Sequence, residues 1–128
     1  MSVTVSNPGD AVVADAYAGL VLPAAAGASF GCPQGDALAF ATPGASTFTV
    51  RCLSASAASF PKFATGVSVP ASLAATTVSN AFNFVWSSLP AGAYTVFLAL
   101  MVPGSLADGT IGGADIISIA TDSVTLSP

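Results

Sequence analysis

Two acidic residues in the last quarter of the chain have the type and spacing to bind a cation. Asp108 begins an Asp-Gly-Thr-Ile sequence, and Asp115 follows it seven residues later. This pattern resembles the second half of an EF-hand loop, in which carboxylate oxygens coordinate Ca²⁺. The earlier ligand positions would fall on Gly104 and Leu106, which carry no carboxylate. We hypothesise a calcium site at Asp108 and Asp115, with an ordinary turn as the alternative, because Asp and Gly favour turns.

The chain has two cysteines, and their sequence context favours a disulfide. Cys32 lies in a Gly-Cys-Pro sequence typical of a loop, whereas Cys52 ends a strand-like segment. A bond between them would join loop to sheet and stabilise the fold by about 3 kcal/mol on the chain-entropy model. Two reduced thiols are the alternative. We predict the disulfide and an extracellular or cell-surface location, because the rest of the composition is typical of that compartment.

Two aromatic residues are candidates for carbohydrate binding, which uses exposed rings with polar neighbours on many β-sandwiches. They are Tyr17, within a predicted strand, and Trp86, the only tryptophan. Trp86 shares one face of its predicted strand with Phe82 and Phe84, so a position in the core is the competing interpretation.

Eight charged side chains in 128 residues leave few groups for acid–base catalysis. Charged residues make up 6% of the chain, against roughly 25% in an ordinary soluble domain. The chain has no His and no Glu, and its only cationic side chains are Arg51 and Lys62. Nucleophilic catalysis needs an activating base, and nucleic-acid binding needs clustered cations. We therefore predict a non-enzyme with no cofactor beyond the possible calcium ion, and no nucleic-acid partner.

Short strand-like segments separated by Pro and Gly predict an all-β fold for the whole chain, residues 1–128, as a single domain. A two-sheet sandwich of seven to nine strands would bury their apolar faces. Residues 24–35 are predicted to form a loop, and residues 54–63 a loop or short helical turn. The predicted strands cover residues 2–6, 11–22, 38–40, 48–52, 67–69, 78–86, 93–102 and 117–126.

Two of these strands have unusual patterns. The segment 93–102 is apolar on both faces, yet it is too short to cross a bilayer, which needs about 20 residues. The last strand begins with Ile117 and Ile119 on one face and ends with Val124 and Leu126 on the other. This change of face predicts a β-bulge near residues 120–122.

Several segments carry a resemblance to a known class of module. Nearly the whole chain resembles uncharacterised immunoglobulin-like modules of large secreted or surface-anchored bacterial proteins. The resemblance implies an immunoglobulin-like sandwich at the cell surface. Similar modules generally carry a first strand before the equivalent of Ser2, so it also predicts that this chain lacks its own first strand. The segments are residues 5–9, 31–33, 52–56, 89–96, 103–111 and 115–117.

Two functions from different classes fit these observations. The first is a structural module, a surface or fibre subunit that associates with other copies or neighbouring domains. The apolar strand 93–102, the weakly charged surface and the missing first strand favour it, with residues 2–6 as a segment that one copy could donate to another. The second is a binding module for glycan or protein that uses the segments 24–35 and 54–63.

Overall fold

The fold is seen in a computed structural model, which describes residues 3–32, 37–42, 48–78 and 91–126. These residues form eight strands, one short α-helix and three 3₁₀ turns, which confirms the all-β prediction and its strand number. The strands are β1 (Val3–Asn7), β2 (Val12–Val21), β3 (Ala37–Phe40), β4 (Thr49–Cys52), β5 (Ala64–Val69), β6 (Leu73–Val78), β7 (Gly92–Met101) and β8 (Ile116–Leu126). The helix is α1 (Ala24–Ser29), and the 3₁₀ turns are Ala57–Ser59, Ser105–Asp108 and Gly113–Asp115.

The strands form two antiparallel sheets, as a sandwich requires. The smaller sheet pairs β1 with β6, so the segment expected to be donated pairs within its own chain. The larger sheet has six strands in the order β4-β3-β2-β7-β8, with β5 also paired to β2. One side of β2 pairs first with β5 and then with β3 along its length, and the other side pairs with β7. Among the strands that the structure describes, β8 therefore forms an edge of the larger sheet.

The larger sheet has an apolar cluster on each face, because successive residues of a strand point to opposite faces. The cluster around the disulfide, here called the disulfide core, lies on one face, and a cluster rich in aromatic rings, here called the aromatic core, lies on the other. The disulfide core comprises Ala18, Leu20, Leu22, Ala26, Cys32, Ala37, Ala39, Tyr94 and Val96. The aromatic core comprises Tyr17, Phe40, Ala57, Phe60, Phe97, Ala99, Met101 and Leu106.

These two cores explain why β7 is apolar on both faces. Tyr94 and Val96 face the disulfide core, whereas Phe97, Ala99 and Met101 face the aromatic core. The strand lies between β2 and β8, so its backbone is paired on both sides. Its two apolar faces are accordingly used inside the chain, and they no longer argue for association between copies.

The predicted loop at residues 24–35 is wrong in its first half, where the structure has α1. This segment is rich in alanine, the residue with the highest helix propensity. Pro23 precedes the helix at a position where a backbone N–H would have no partner within it. Ala26 is buried in the disulfide core, so packing adds to propensity. In residues 54–63 the structure has the 3₁₀ turn Ala57–Ser59, one of the two alternatives expected there.

The bulge predicted near residues 120–122 is also wrong. Pairing between β7 and β8 is regular from Ser118 to Leu126, and the irregularity lies at Ile117, between the pairs of Leu100 and Met101. Ile117 is 38% exposed and Ile119 is 50% exposed. The predicted bulge required Ile117 and Ile119 to be buried, and no change of face is needed because both lie at the surface.

Candidate functional site

The disulfide between Cys32 and Cys52 is present, as predicted. Their Cα atoms are 5.2 Å apart, within the usual range for such a bond. Cys32 follows α1, and its backbone N–H donates to the carbonyl of Gly27. Cys52 ends β4, opposite Ala37 of β3. The bond thus joins the segment after α1 to the outer strand of the larger sheet.

Asp15 is a buried carboxylate of β2 that forms an ion pair with the partly exposed Lys62. It is 2% exposed, and its carboxylate faces a β-bulge at Thr65 and Gly66 of β5. The Gly66 N–H donates to Oδ1 at 3.1 Å, and the Gly104 N–H donates to Oδ2 at the same distance. The Nζ of Lys62 lies 2.9 Å from Oδ2. Both glycines have positive φ, which orients their N–H groups in a way that other residues rarely can.

These contacts determine the charge state of the pair. Burial alone raises the pKa of the Asp15 carboxyl, but hydrogen bonds from Lys62, Gly104 and Gly66 outweigh it and lower the pKa below its ordinary value. The hydrogen bond to Asp15 raises the pKa of Lys62. Both groups are therefore ionised at neutral pH, and the carboxylate is held as an acceptor. A carboxylate in this state joins β2, β5 and the segment after β7.

An open groove lies on the sheet face that carries the aromatic core. Its volume is about 230 Å³, and its wall presents only apolar atoms. The rings that form its floor are packed together, with Phe40 4.9 Å from Phe60 and 5.9 Å from Phe97 between ring centroids. Exposed aliphatic side chains form its rim, including Ile111 and Ile119. The groove is lined by Tyr17, Val21, Leu38, Phe40, Phe60, Phe97, Ala99, Met101, Leu106, Ile111, Ile116, Ile119 and Thr121.

Strand β8 lies beside this groove and forms an open edge of the sheet. Within the described part of the chain, it pairs with β7 on one side and with no strand on the other. Residues 117–123 are exposed on both faces of the strand. Ile116, Ile119 and Thr121 also line the groove. An unpaired backbone edge and an apolar surface thus adjoin, and both could be used by a partner.

The two residues of the calcium hypothesis each serve a local turn. Asp108 Oδ1 accepts hydrogen bonds from the N–H and the hydroxyl of Thr110, at 2.9 and 3.2 Å. Asp115 Oδ2 accepts from the Gly112 N–H at 2.8 Å. Over the ranges that the structure covers, no group of three or more potential metal ligands is found. The contacts of both carboxylates are those of turn-forming residues, which was the alternative interpretation.

The aromatic candidates have different outcomes. Tyr17 is 4% exposed and lies in the aromatic core, so its ring does not offer the open face that a sugar platform needs. Burial raises the pKa of its hydroxyl, with a smaller opposing effect from Lys62. Trp86 lies outside the described residues, and so do Phe82 and Phe84.

Sequence reasoning missed both the ion pair and one motif. A lone Asp within the apolar segment of β2 was the available signal for the ion pair.

Ser29 lies in a Gly-Ala-Ser-Phe-Gly sequence, the pattern that carries the nucleophile of α/β-hydrolases at a strand-to-helix turn. Here Ser29 ends α1 instead, and its hydroxyl donates to the carbonyl of Ala26 at 2.6 Å. The motif is thus used to terminate a helix.

Comparison with known proteins finds no family model, no curated relative and no solved structure that matches this chain. Within the described ranges, no helix has the length and apolar character needed to cross a membrane.

Proposed function

We propose that this chain is a non-enzymatic, extracellular structural module, an immunoglobulin-like subunit of bacterial surfaces or fibres that acts by associating with itself. The observation that carries the proposal is the open edge of β8 beside the apolar groove. The disulfide supports the location, because such bonds persist in oxidising compartments. The resemblance to modules of bacterial surface proteins supports the same environment.

The composition of β8 favours association at this edge. Natural proteins protect exposed edge strands with Lys, Pro, bulges or short length. The eleven residues of β8 include neither Lys nor Pro, and their only charged side chain is Asp122. The bulge lies at one end, at Ile117, which leaves the longer part of the strand regular. A strand from another molecule would satisfy the backbone groups of this edge.

The weak charge of the molecule is compatible with close contact between copies. The formal net charge is −4, from six Asp against one Arg and one Lys. Charge repulsion between copies is consequently small, and at physiological ionic strength it is screened beyond about 8 Å.

The proposal is tested by sedimentation velocity over a range of concentrations, with negative-stain microscopy, on protein that has not been exposed to denaturant. We expect assembly that increases with concentration, with regular oligomers or filaments in the images. A sedimentation coefficient that stays that of the monomer at every concentration would contradict self-association.

A binding module is the second candidate, and the groove is the observation that favours it. A wall that presents only apolar atoms suits the alternate apolar side chains of an extended peptide better than the hydroxyls of a glycan. Ile111 is 44% exposed at the rim, so Ile111→Asp should close the groove to an apolar ligand without unfolding the chain. Peptide and glycan arrays probed with this variant distinguish the binding module from the structural module. Asp108→Ala, probed on the same arrays, is the control for a calcium-dependent site.

A further inference from the structure

We propose that two copies of this chain pair through their β8 strands, antiparallel about a two-fold axis at Thr121, and form a closed dimer. This inference rests on the proposed self-association and assigns it a surface, a partner strand and a register. It predicts a dimer as the basic unit of any larger assembly, because two-fold pairing uses the edge completely.

The partner strand follows from the lengths of the available edges. Among the described strands, the other edges of the larger sheet are β4, with four residues, and β5, with six. The strands of the smaller sheet, β1 and β6, have five and six residues. Strand β8 has eleven. Of the strands that the structure describes, only a second β8 can therefore pair with β8 along its whole length.

The register follows from the same condition. In an antiparallel pair of identical strands, the full length is paired only when the central residue opposes itself, and for Ile116–Leu126 that residue is Thr121. This register places Asp122 opposite Ala120 of the partner subunit, so the two carboxylates are not directly opposed. Ile119 lies opposite Ser123 of the partner subunit. Like charges directly opposite one another would destabilise a sheet, and this register avoids them.

The pairing also joins the two apolar grooves. A two-fold axis perpendicular to the sheet keeps the same face of both copies on the same side. Ile119 and Thr121 line the groove and lie on the face that carries Phe97 and Ala99. The groove of one copy would then meet the groove of the other along the β8 seam. The result is one larger apolar channel across the dimer.

A single introduced cysteine tests the register. In Thr121→Cys, the two thiols would lie across the axis, where directly opposed Cα atoms are about 4.5–5.5 Å apart and a disulfide can form. In Ser123→Cys, the two new thiols would be four residues apart along the ladder, about 13 Å, too far for a disulfide. We expect a covalent dimer under oxidising conditions from Thr121→Cys and not from Ser123→Cys. Peptide mapping should show that Cys32 and Cys52 remain bonded to each other in both variants.

Edge blocking provides the second test. Ile119→Lys adds a charge to the edge strand. Leu53→Lys adds the same charge outside the sheets, at a leucine that is 52% exposed, close to the 50% of Ile119. We expect Ile119→Lys to weaken dimerisation by at least about tenfold, equivalent to 1.4 kcal/mol, and Leu53→Lys to leave it unchanged. Circular dichroism verifies that both variants fold.

The outcomes separate this inference from the function on which it rests. If the wild type associates and Ile119→Lys associates equally well, the β8 dimer is overturned and self-association is retained. The same holds if Ser123→Cys forms the covalent dimer and Thr121→Cys does not. A wild-type protein that stays monomeric, with no cross-linking of Thr121→Cys, overturns both.

Discussion

The ammonium group of Lys62 lies 2.9 Å from a carboxylate oxygen of Asp15, and this pair uses the only lysine of the chain. The two partners differ in exposure, with 37% of the Lys62 side chain exposed and 3% of the Asp15 side chain. The carboxylate also accepts two backbone hydrogen bonds, so it keeps partners even if the lysine is removed. Asp15 is therefore the more important member of the pair for stability.

The first prediction concerns Asp15→Asn. The amide keeps the shape of the side chain, but it loses the charge and one acceptor oxygen, which leaves a buried donor without its partner. Unfolding in urea should show a loss of about 1–3 kcal/mol. Lys62→Met should cost less, because Lys62 is partly in solvent. Asp10→Asn makes the same chemical change at an exposed site and should cost little; an equal loss there would contradict the role of Asp15.

The second prediction is a loss of stability in acid that depends on Asp15. The pKa of its carboxyl is lowered on folding from an ordinary value of 3.8. The unfolded chain consequently binds a proton more readily, and the contribution of Asp15 is fully present above that value. It is lost as the pH falls from about 4 through the lower pKa of the folded state. The free energy of unfolding, measured from pH 5 to pH 2, should fall less steeply in Asp15→Asn than in the wild type.

The third prediction concerns the alkaline range and uses the only two tyrosines of the chain. Burial raises the pKa of Tyr17 and that of Tyr94 above the ordinary value of 10.0. The unfolded chain releases these protons first, so stability falls as the pH rises above about 10. The contribution of Lys62, whose folded pKa is raised above 10.5, is also lost as the pH rises through that pKa.

Ultraviolet absorbance of tyrosinate provides the measurement. The native protein should show no tyrosine that titrates at the ordinary value, and the denatured protein should titrate both there. A native titration with half of its amplitude at pH 10 would show that one of the two hydroxyls is open to solvent.

The fourth prediction concerns a close approach between β2 and β3. A Cβ atom at Gly19 would overlap the backbone oxygen of Ala39. The obstacle is backbone, so one of the two strands would have to move. We expect Gly19→Ala to destabilise the fold by about 1–3 kcal/mol or more. Gly113→Ala is the control, because no atom lies within 4 Å of its added Cβ; comparable melting temperatures for the two variants would contradict the close approach.

The sequence was sufficient to predict the features that depend on local patterns. The all-β class, the number of strands and the disulfide follow from turn residues, alternation and cysteine context, and the structure confirms them. The errors arose where a local pattern has more than one tertiary solution. The apolar segment that became β7 could be a free surface or a central strand, and only the pairing with β2 and β8 distinguishes these.

The candidate site was less predictable for the same physical reason. Asp15 and Gly104 are 89 residues apart in sequence, and a hydrogen bond joins them only because β2 and β7 are neighbours. The groove likewise collects side chains from several strands and from the 3₁₀ turn Ser105–Asp108. No periodicity along one segment contains such information. Composition nevertheless indicated a surface with few charges, which is compatible with the proposed association.

The last prediction concerns the disulfide, which closes a loop between residues 20 positions apart. The bond restricts the unfolded chain more than the folded one, so its removal should cost about 3 kcal/mol. Cys32 is buried in the disulfide core, and Cys32→Ala with Cys52→Ala would add a packing defect, whereas Cys32→Ser with Cys52→Ser would bury a hydroxyl. Reduction of the wild type leaves both side chains in place and isolates the effect of the bond. Urea unfolding with and without reductant should differ by about this amount. Coincident curves, with free thiols confirmed by labelling, would mean that the fold keeps the segment after α1 beside β4 without the bond.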